Sequence, residues 1–231
     1  MSSAIMGATS GLQPLTVQFL DWDWVRDNRP EIIGDLLEHV QLTVLAMMFG
    51  FVIAFPLALA AFRWPRLYGP VIGFTGVLFT IPSLALFVIL IPFTGLSIVT
   101  PLTGLTIFTL LVLVRNIVEG LRGVDPQVRE AAQAMGYRRT RQLLTVELPL
   151  ALPVIMAGIR IATVTTIGLI AITALIGWGG LGQLFLQGLT LYRPTAIMTG
   201  FVLSVAFAVT ADLLLVGVQR ALTPWTRRAE G

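Results

Sequence analysis

Five long apolar runs set the rhythm of this chain, at residues 39–62, 69–92, 101–121, 154–176 and 196–218. Each is close to the ~20 residues that a helix needs to cross the hydrocarbon core of a bilayer. Backbone amides in lipid must bond within their own segment, so each run predicts a membrane-spanning helix. The polar stretches between them are unequal. Ahead of the first run, Asp21, Asp23, Asp27, Glu31, Asp35 and Glu38 accompany Trp22 and Trp24. That pattern predicts an acidic, interfacial helical approach with its tryptophans at headgroup level. Between the third and fourth runs lies VDPQVREAAQAMGYRRTRQLLTVELPLALP, residues 124–153, which is polar and basic yet built mostly of helix formers. The chain therefore divides into an N-terminal segment (1–38), a membrane domain (39–220) containing a loop at 123–150, and a tail (221–231).

The loop carries its own punctuation. Asp125-Pro126 reads as a helix start, with aspartate at the N-cap and proline at the first helical position. Residues 127–135 continue the helix, and Gly136 is placed to end it in a left-handed conformation. A second short helix is expected over about 138–147, before Leu148-Pro149 turns the chain back toward the membrane. The small side chains of Ala131, Ala132 and Ala134 allow another surface to come close. On composition alone two readings stay open: a basic loop resting on anionic lipid, or a docking surface for another protein.

Composition agrees with a membrane protein. Of 231 residues, 56% are hydrophobic and 12% charged, with a mean hydropathy of +0.88, too little charge to cover a soluble domain. Cysteine is absent and all fifteen basic residues are arginine. Disulfides, thiolate metal sites, a P-loop lysine and a Schiff-base lysine are thereby excluded. The net charge of +3 is scattered between apolar runs and forms no single face, which argues against nucleic acid. The first fifteen residues lack the basic region of a secretory signal, since the first arginine is Arg26. Arg63 and Arg66 follow the first run; Arg122, Arg129, Arg138, Arg139 and Arg141 follow the third; Arg220, Arg227 and Arg228 follow the fifth. The other side holds Arg26, Arg29 and Arg193. The positive-inside rule then puts the N-terminus outside, the C-terminus in the cytoplasm and the 123–150 loop on the cytoplasmic side.

Glu130-Ala131-Ala132, Gly136 and the later Val146-x-Leu148-Pro149 follow the EAA signature of permease subunits of binding-protein-dependent ABC importers. The chain resembles that family over nearly all its length after about Glu38. The resemblance implies an all-α multi-pass protein of the bacterial inner membrane whose loop, a helix–turn–helix, docks on a separate cytoplasmic ATPase. It assigns that coupling role to Glu130, Ala131, Ala132, Gly136, Leu148 and Pro149. The chain itself would hold no cofactor, with ATP and magnesium bound by the partner. Further partners implied are a second permease subunit, identical or related, an extracytoplasmic substrate-binding protein, and membrane lipid. Thr80-Ile81-Pro82-Ser83-Leu84-Ala85-Leu86, Gly158-Ile159-Arg160 with Ala162-Thr163, and Ile176-Gly177-Trp178-Gly179-Gly180-Leu181-Gly182 are similar to permeases for glycine betaine, choline and carnitine. Importers of methionine and other amino acids share the general style, so a permease for an amino acid stays open. Because the chain ends at Gly231, a separate binding protein is expected in place of a fused one.

Other features invite sharper readings. Gly177, Gly179 and Gly182 satisfy G-x-G-x-x-G, but after a membrane span and without a strand they read as a tight outer loop. His39 stands alone at the start of a span, suited to a capping or interfacial role and not to a metal site. Arg115 and Glu119 are four apart and can pair on one helix face. With Arg160 and Asp212 they lie in the cytoplasmic halves of spans, where structural ion pairs and snorkelling are expected over substrate contact. A quaternary ammonium ligand favours aromatic faces; Phe79, Phe87, Phe93 and Trp178 are candidates, or else face lipid or pack. Pro82, next to Thr80 and Ser83, is expected to break the second span and line a pathway. Pro56 could do the same, or kink its helix for packing. The expected whole is five spans with a cytoplasmic coupling loop and no covalent chemistry. A gradient-driven secondary transporter is the rival class, with Asp212 its one candidate carboxylate, and a membrane enzyme comes last.

Overall fold

The computed structural model describes residues 20–225. Residues 1–19 and 226–231, which include half of the expected N-terminal segment and Arg227 and Arg228 of the tail, lie outside the described residues. Every regular element described is helical. A short helix α1 (Trp22–Asp27) leads into α2 (Arg29–Arg63), followed by α3 (Pro65–Thr80), α4 (Ser83–Thr94) and α5 (Val99–Arg122). The loop contains α6 (Pro126–Ala134) and α7 (Arg139–Gln142), then a π turn (Leu143–Glu147) that runs into α8 (Leu148–Thr173). The chain closes with α9 (Gly182–Thr190) and α10 (Pro194–Leu222).

Four helices are long and apolar enough to cross a membrane: α2, α5, the continuous stretch Arg139–Ile176, and α10. The expected second span is two half-length helices, α3 and α4, bent by 95° at their junction. Among the described residues the candidate spans therefore number four, or five if the bent pair crosses as one.

α5 is the hub. In it 61% of the apolar stretch is buried, whereas none of that of α10 is. Ala54, Ala58 and Ala61 of α2 recur every turn and pack on Leu113, Val114, Ile117 and Val118 of α5, with Ala151 and Ile155 of α8 closing the cluster. Lipid tails are as apolar as these side chains, so what holds the helices together is close packing between small residues. At Gly158 of α8 a Cβ would lie 2.7 Å from Asn116 Cγ on α5. At Gly104 of α5 it would lie 2.5 Å from the Phe87 ring. Both crossings close only because the side chain is absent.

Three expectations change here. Trp24 does not stand at the surface as an interfacial tryptophan would: it is 8% exposed and packs with Ile32, Leu181, Leu184 and Ala196, while Trp22 is 68% exposed. Asp21 caps α1 by accepting from the amides of Asp23 and Trp24, both at 3.1 Å, which turns Trp24 inward. His39 is neither a cap nor interfacial, because α2 begins ten residues earlier, at Arg29. Its ring is fully buried, with Nε2 3.1 Å from the Ile167 carbonyl and the ring edge-on to Phe207. Phe87 is fully buried in the α2–α4–α5–α8 cluster and lines no pathway.

The glycine loop at 177–182 is clamped to the same turn of α2. Gly180 has φ +47°, its amide donates to Glu38 Oε1 at 2.9 Å, and a Cβ would lie 2.7 Å from the His39 backbone. Only glycine can adopt that dihedral and approach at once.

Candidate functional site

The loop between α5 and α8 folds as its local signals direct. Asp125 accepts from the Gln127 amide at 2.8 Å, and Pro126 occupies the first helical turn of α6. Gly136 has φ +79°. Its amide donates to Gln133 O at 2.9 Å and that of Tyr137 to Ala132 O at 3.1 Å. This is a Schellman closure, which satisfies two carbonyls left over at the helix end.

The inner face of α6 is fastened. Ala132 is 2% exposed. Arg129 reaches back so that one terminal nitrogen donates to Leu121 O at 2.6 Å and to Arg122 O at 3.3 Å, capping the end of α5. Its guanidinium also stands over the Phe62 ring of α2, 5.7 Å from the centroid. The opposite face is bare. Glu130, Ala131 and Gly136 are exposed, and Met135 beside them is 68% exposed. Glu130 has no ion-pair partner among the described residues. A short helix thus stands anchored on one side while presenting small residues, one carboxylate and a methionine on the other.

Leu148 and Pro149 are half-buried and do not turn the chain. The expected helix end at 147 is replaced by a π turn that carries α7 into α8 as one 38-residue stretch, Arg139–Ile176. The reason lies in Pro149: it has no amide to donate, and its ring would clash with the carbonyl four residues back in an α ladder. A wider turn just before it relieves the clash and keeps the helix going. Gln142 Nε2 donates to Glu147 Oε1 at 2.7 Å inside this turn, and both residues are buried. The second half of the loop and α8 are therefore one continuous helix.

At the break between α3 and α4, Thr80 and Pro82 are exposed and Ser83 half-buried. Thr80 Oγ1 donates to Val77 O at 2.7 Å, replacing part of the ladder that Pro82 interrupts. Ser83 makes no such bond. Trp178 is half-buried in the loop after α8, and no ring contact or hydrogen bond links it to the break. Phe79 packs edge-on against Phe108 at 5.8 Å, and Phe93 is 83% exposed. No aromatic cage is assembled among the described residues.

The intramembrane charges are paired. Arg115 Nε donates to Glu119 Oε1 at 2.8 Å. Arg160 grips Asp212 in a two-pronged bridge, Nε to Oδ1 at 2.7 Å and a terminal nitrogen to Oδ2 at 2.8 Å. The second bridge ties α8 to α10, whose buried residues otherwise lie near its start, at Thr195, Ala196 and Gly200. The anchoring role of Arg129, the Gln142–Glu147 bond and the partnership of Arg160 with Asp212 all escape a reading of the sequence. Only the i,i+8 approach of Arg129 to Leu121 has a local signal, in that a long cation lies within reach of a helix end. Among the described residues no group of three His, Asp or Glu side chains is placed to hold a metal.

Comparison with known proteins adds a family. A family model described as "Binding-protein-dependent transport system inner membrane component" matches residues 46–228. The choline transport system permease protein OpuBB of Bacillus subtilis (strain 168) is 36% identical over 208 residues, 90% of this chain and 94% of that protein. The glycine betaine/carnitine/choline transport system permease protein OpuCB of the same organism is 35% identical over 201 residues, covering 87% and 93%. Among solved structures, a chain of the MetNI methionine ABC transporter in an inward-facing conformation superposes with a TM-score of 0.75 at 27% identity. That match covers 81% of this chain and 94% of the other.

Proposed function

The chain belongs to the family of binding-protein-dependent transport system inner membrane components, and on that premise we propose that it is the translocation subunit of an importer of quaternary ammonium osmoprotectants such as choline and glycine betaine. It is a multi-pass membrane protein and a permease subunit, and ATP hydrolysis belongs to a partner. The observation that carries the mechanism is the asymmetry of α6, fastened through Ala132 and Arg129 and bare at Glu130, Ala131 and Gly136.

In this reading the bare face docks on a cytoplasmic ATPase that binds ATP and magnesium. Closure of the ATPases shifts the loop, and the Arg139–Ile176 helix conveys the shift, past Leu148 and Pro149, into the membrane. The N-terminus lies outside and the C-terminus inside. The pathway runs beside the α3–α4 break at Thr80, Pro82 and Ser83, with Trp178 toward its outer end. A second permease, identical or related, completes the pathway. A separate binding protein delivers the cargo, and it holds most of the selectivity, since the spans offer no aromatic cage. The names of the permeases similar to this chain support the substrate class.

The test is ligand-stimulated ATP hydrolysis by the purified permease–ATPase complex in lipid, with the binding protein present. Choline, glycine betaine or carnitine should raise the rate, and methionine or histidine should not. Stimulation by an amino acid alone would reassign the cargo and leave the permease role intact.

A further inference from the structure

A groove of about 690 Å³ separates the end of α2 from the α6–α7 segment. Its rim is cationic: Arg63, Arg129 and Arg139 face one carboxylate, Glu147, which is buried and already accepts from Gln142. Arg63 and Arg139 have no ion-pair partner among the described residues. Arg129 uses one terminal nitrogen on the α5 carbonyls, while its Nε is buried with no hydrogen-bond partner. The floor is apolar, formed by Pro56, Leu59 and Leu143. From Pro56 to Arg63 the wall of α2 descends roughly 10 Å at the rise of an α-helix. Trp64, 57% exposed at the lip, sits where an aromatic ring marks the headgroup layer.

We propose that this groove binds the head group of an anionic phospholipid from the cytoplasmic leaflet. The proposal rests on the orientation given above, which puts the end of α2 and the loop on that side. Guanidinium groups match phosphate oxygens in number and geometry. Free phosphate would satisfy the rim and leave the apolar floor empty. A phosphodiester with its glycerol and first methylenes fills both, and the volume suits a head group with the start of its chains. The bound lipid braces the root of α6 against α2 from the face of Arg129 and Gln133, which is opposite Ala131. Lipid and ATPase can therefore be held together, and the anionic content of the membrane tunes how firmly the loop couples.

The experiment measures phospholipid retained by the purified permease–ATPase complex, by native mass spectrometry, after exchange into mixed phosphatidylglycerol and phosphatidylcholine. Wild type should keep phosphatidylglycerol in preference. The double variant Arg63→Gln/Arg139→Gln should lose about 25-fold of that preference, at about fivefold per arginine near an anionic surface. Arg66→Gln/Arg138→Gln, two exposed arginines outside the groove, should keep it. Both pairs are solvent-exposed, and matched melting curves establish that the variants fold. Millimolar inorganic phosphate should not displace the lipid. Equal loss from both double variants would reduce the effect to general surface charge, and displacement by phosphate would make this a simple anion site; either overturns the proposal. A lipid footprint that persists when the ATPase fails to associate would contradict the coupling role and leave the groove standing.

Discussion

Valine at Gly136 separates the two ways in which the loop could fail. The residue has φ +79°, where an L-residue costs about 1–2 kcal/mol and a β-branched one lies at the upper end. A Cβ there meets nothing within 4 Å, so within the subunit the cost is conformational and not steric. It can be relieved only by opening the Schellman bonds from Gly136 and Tyr137, each of which contributes about 0.5–1.5 kcal/mol. α6 has nine residues, short enough to be marginal without its anchors, so the substitution should raise its frayed population about 5- to 30-fold. The assay is retention of the ATPase on the detergent-solubilised subunit, with Gly136→Asn alongside. Asparagine tolerates the left-handed region at similar bulk. We expect Gly136→Val to fold in the membrane, weaken association and uncouple hydrolysis, with Gly136→Asn close to wild type. Wild-type association and coupling in Gly136→Val, or equal loss in both variants, would refute the argument from the helix end.

Gly158→Ala should lower the melting temperature of the subunit by overpacking the α5–α8 crossing, at about 1–3 kcal/mol; Gly168→Ala, on the same helix with open space around it, should be neutral. Asp212→Asn should lower the melting temperature by leaving Arg160 without its bridge, and Arg160→Gln/Asp212→Asn should recover part of the loss. Simple additivity in that cycle would show the pair is uncoupled. A reporter active only in the cytoplasm should work when fused after Arg141 and fail after Arg193; a signal near Arg193 would overturn the orientation.

What could be read from the sequence was what neighbours in the chain decide. Asp125, Pro126 and Gly136 signal through the two or three residues beside them, and the apolar runs carry their own length. Pro82 announced a break, but the 95° between α3 and α4 depends on what each half packs against. Leu148-Pro149 reads as a turn back toward the membrane, because proline often follows a helix, but it opens one just as readily, and the π turn carries the helix through. Trp24 and His39 look interfacial until Leu181, Leu184, Gly180 and Ile167 arrive from more than a hundred residues later. Arg160 and Asp212 stand 52 residues apart, and nothing in the intervening sequence joins them.

The most direct test of the account is uptake into sealed vesicles holding the permease and its ATPase, with ATP trapped in the lumen that corresponds to the cytoplasm and the loaded binding protein outside. Accumulation of labelled choline or glycine betaine should require both the ATP and the binding protein, and should persist when ion gradients are collapsed. Uptake that proceeds without ATP and stops when the gradients are removed would contradict it.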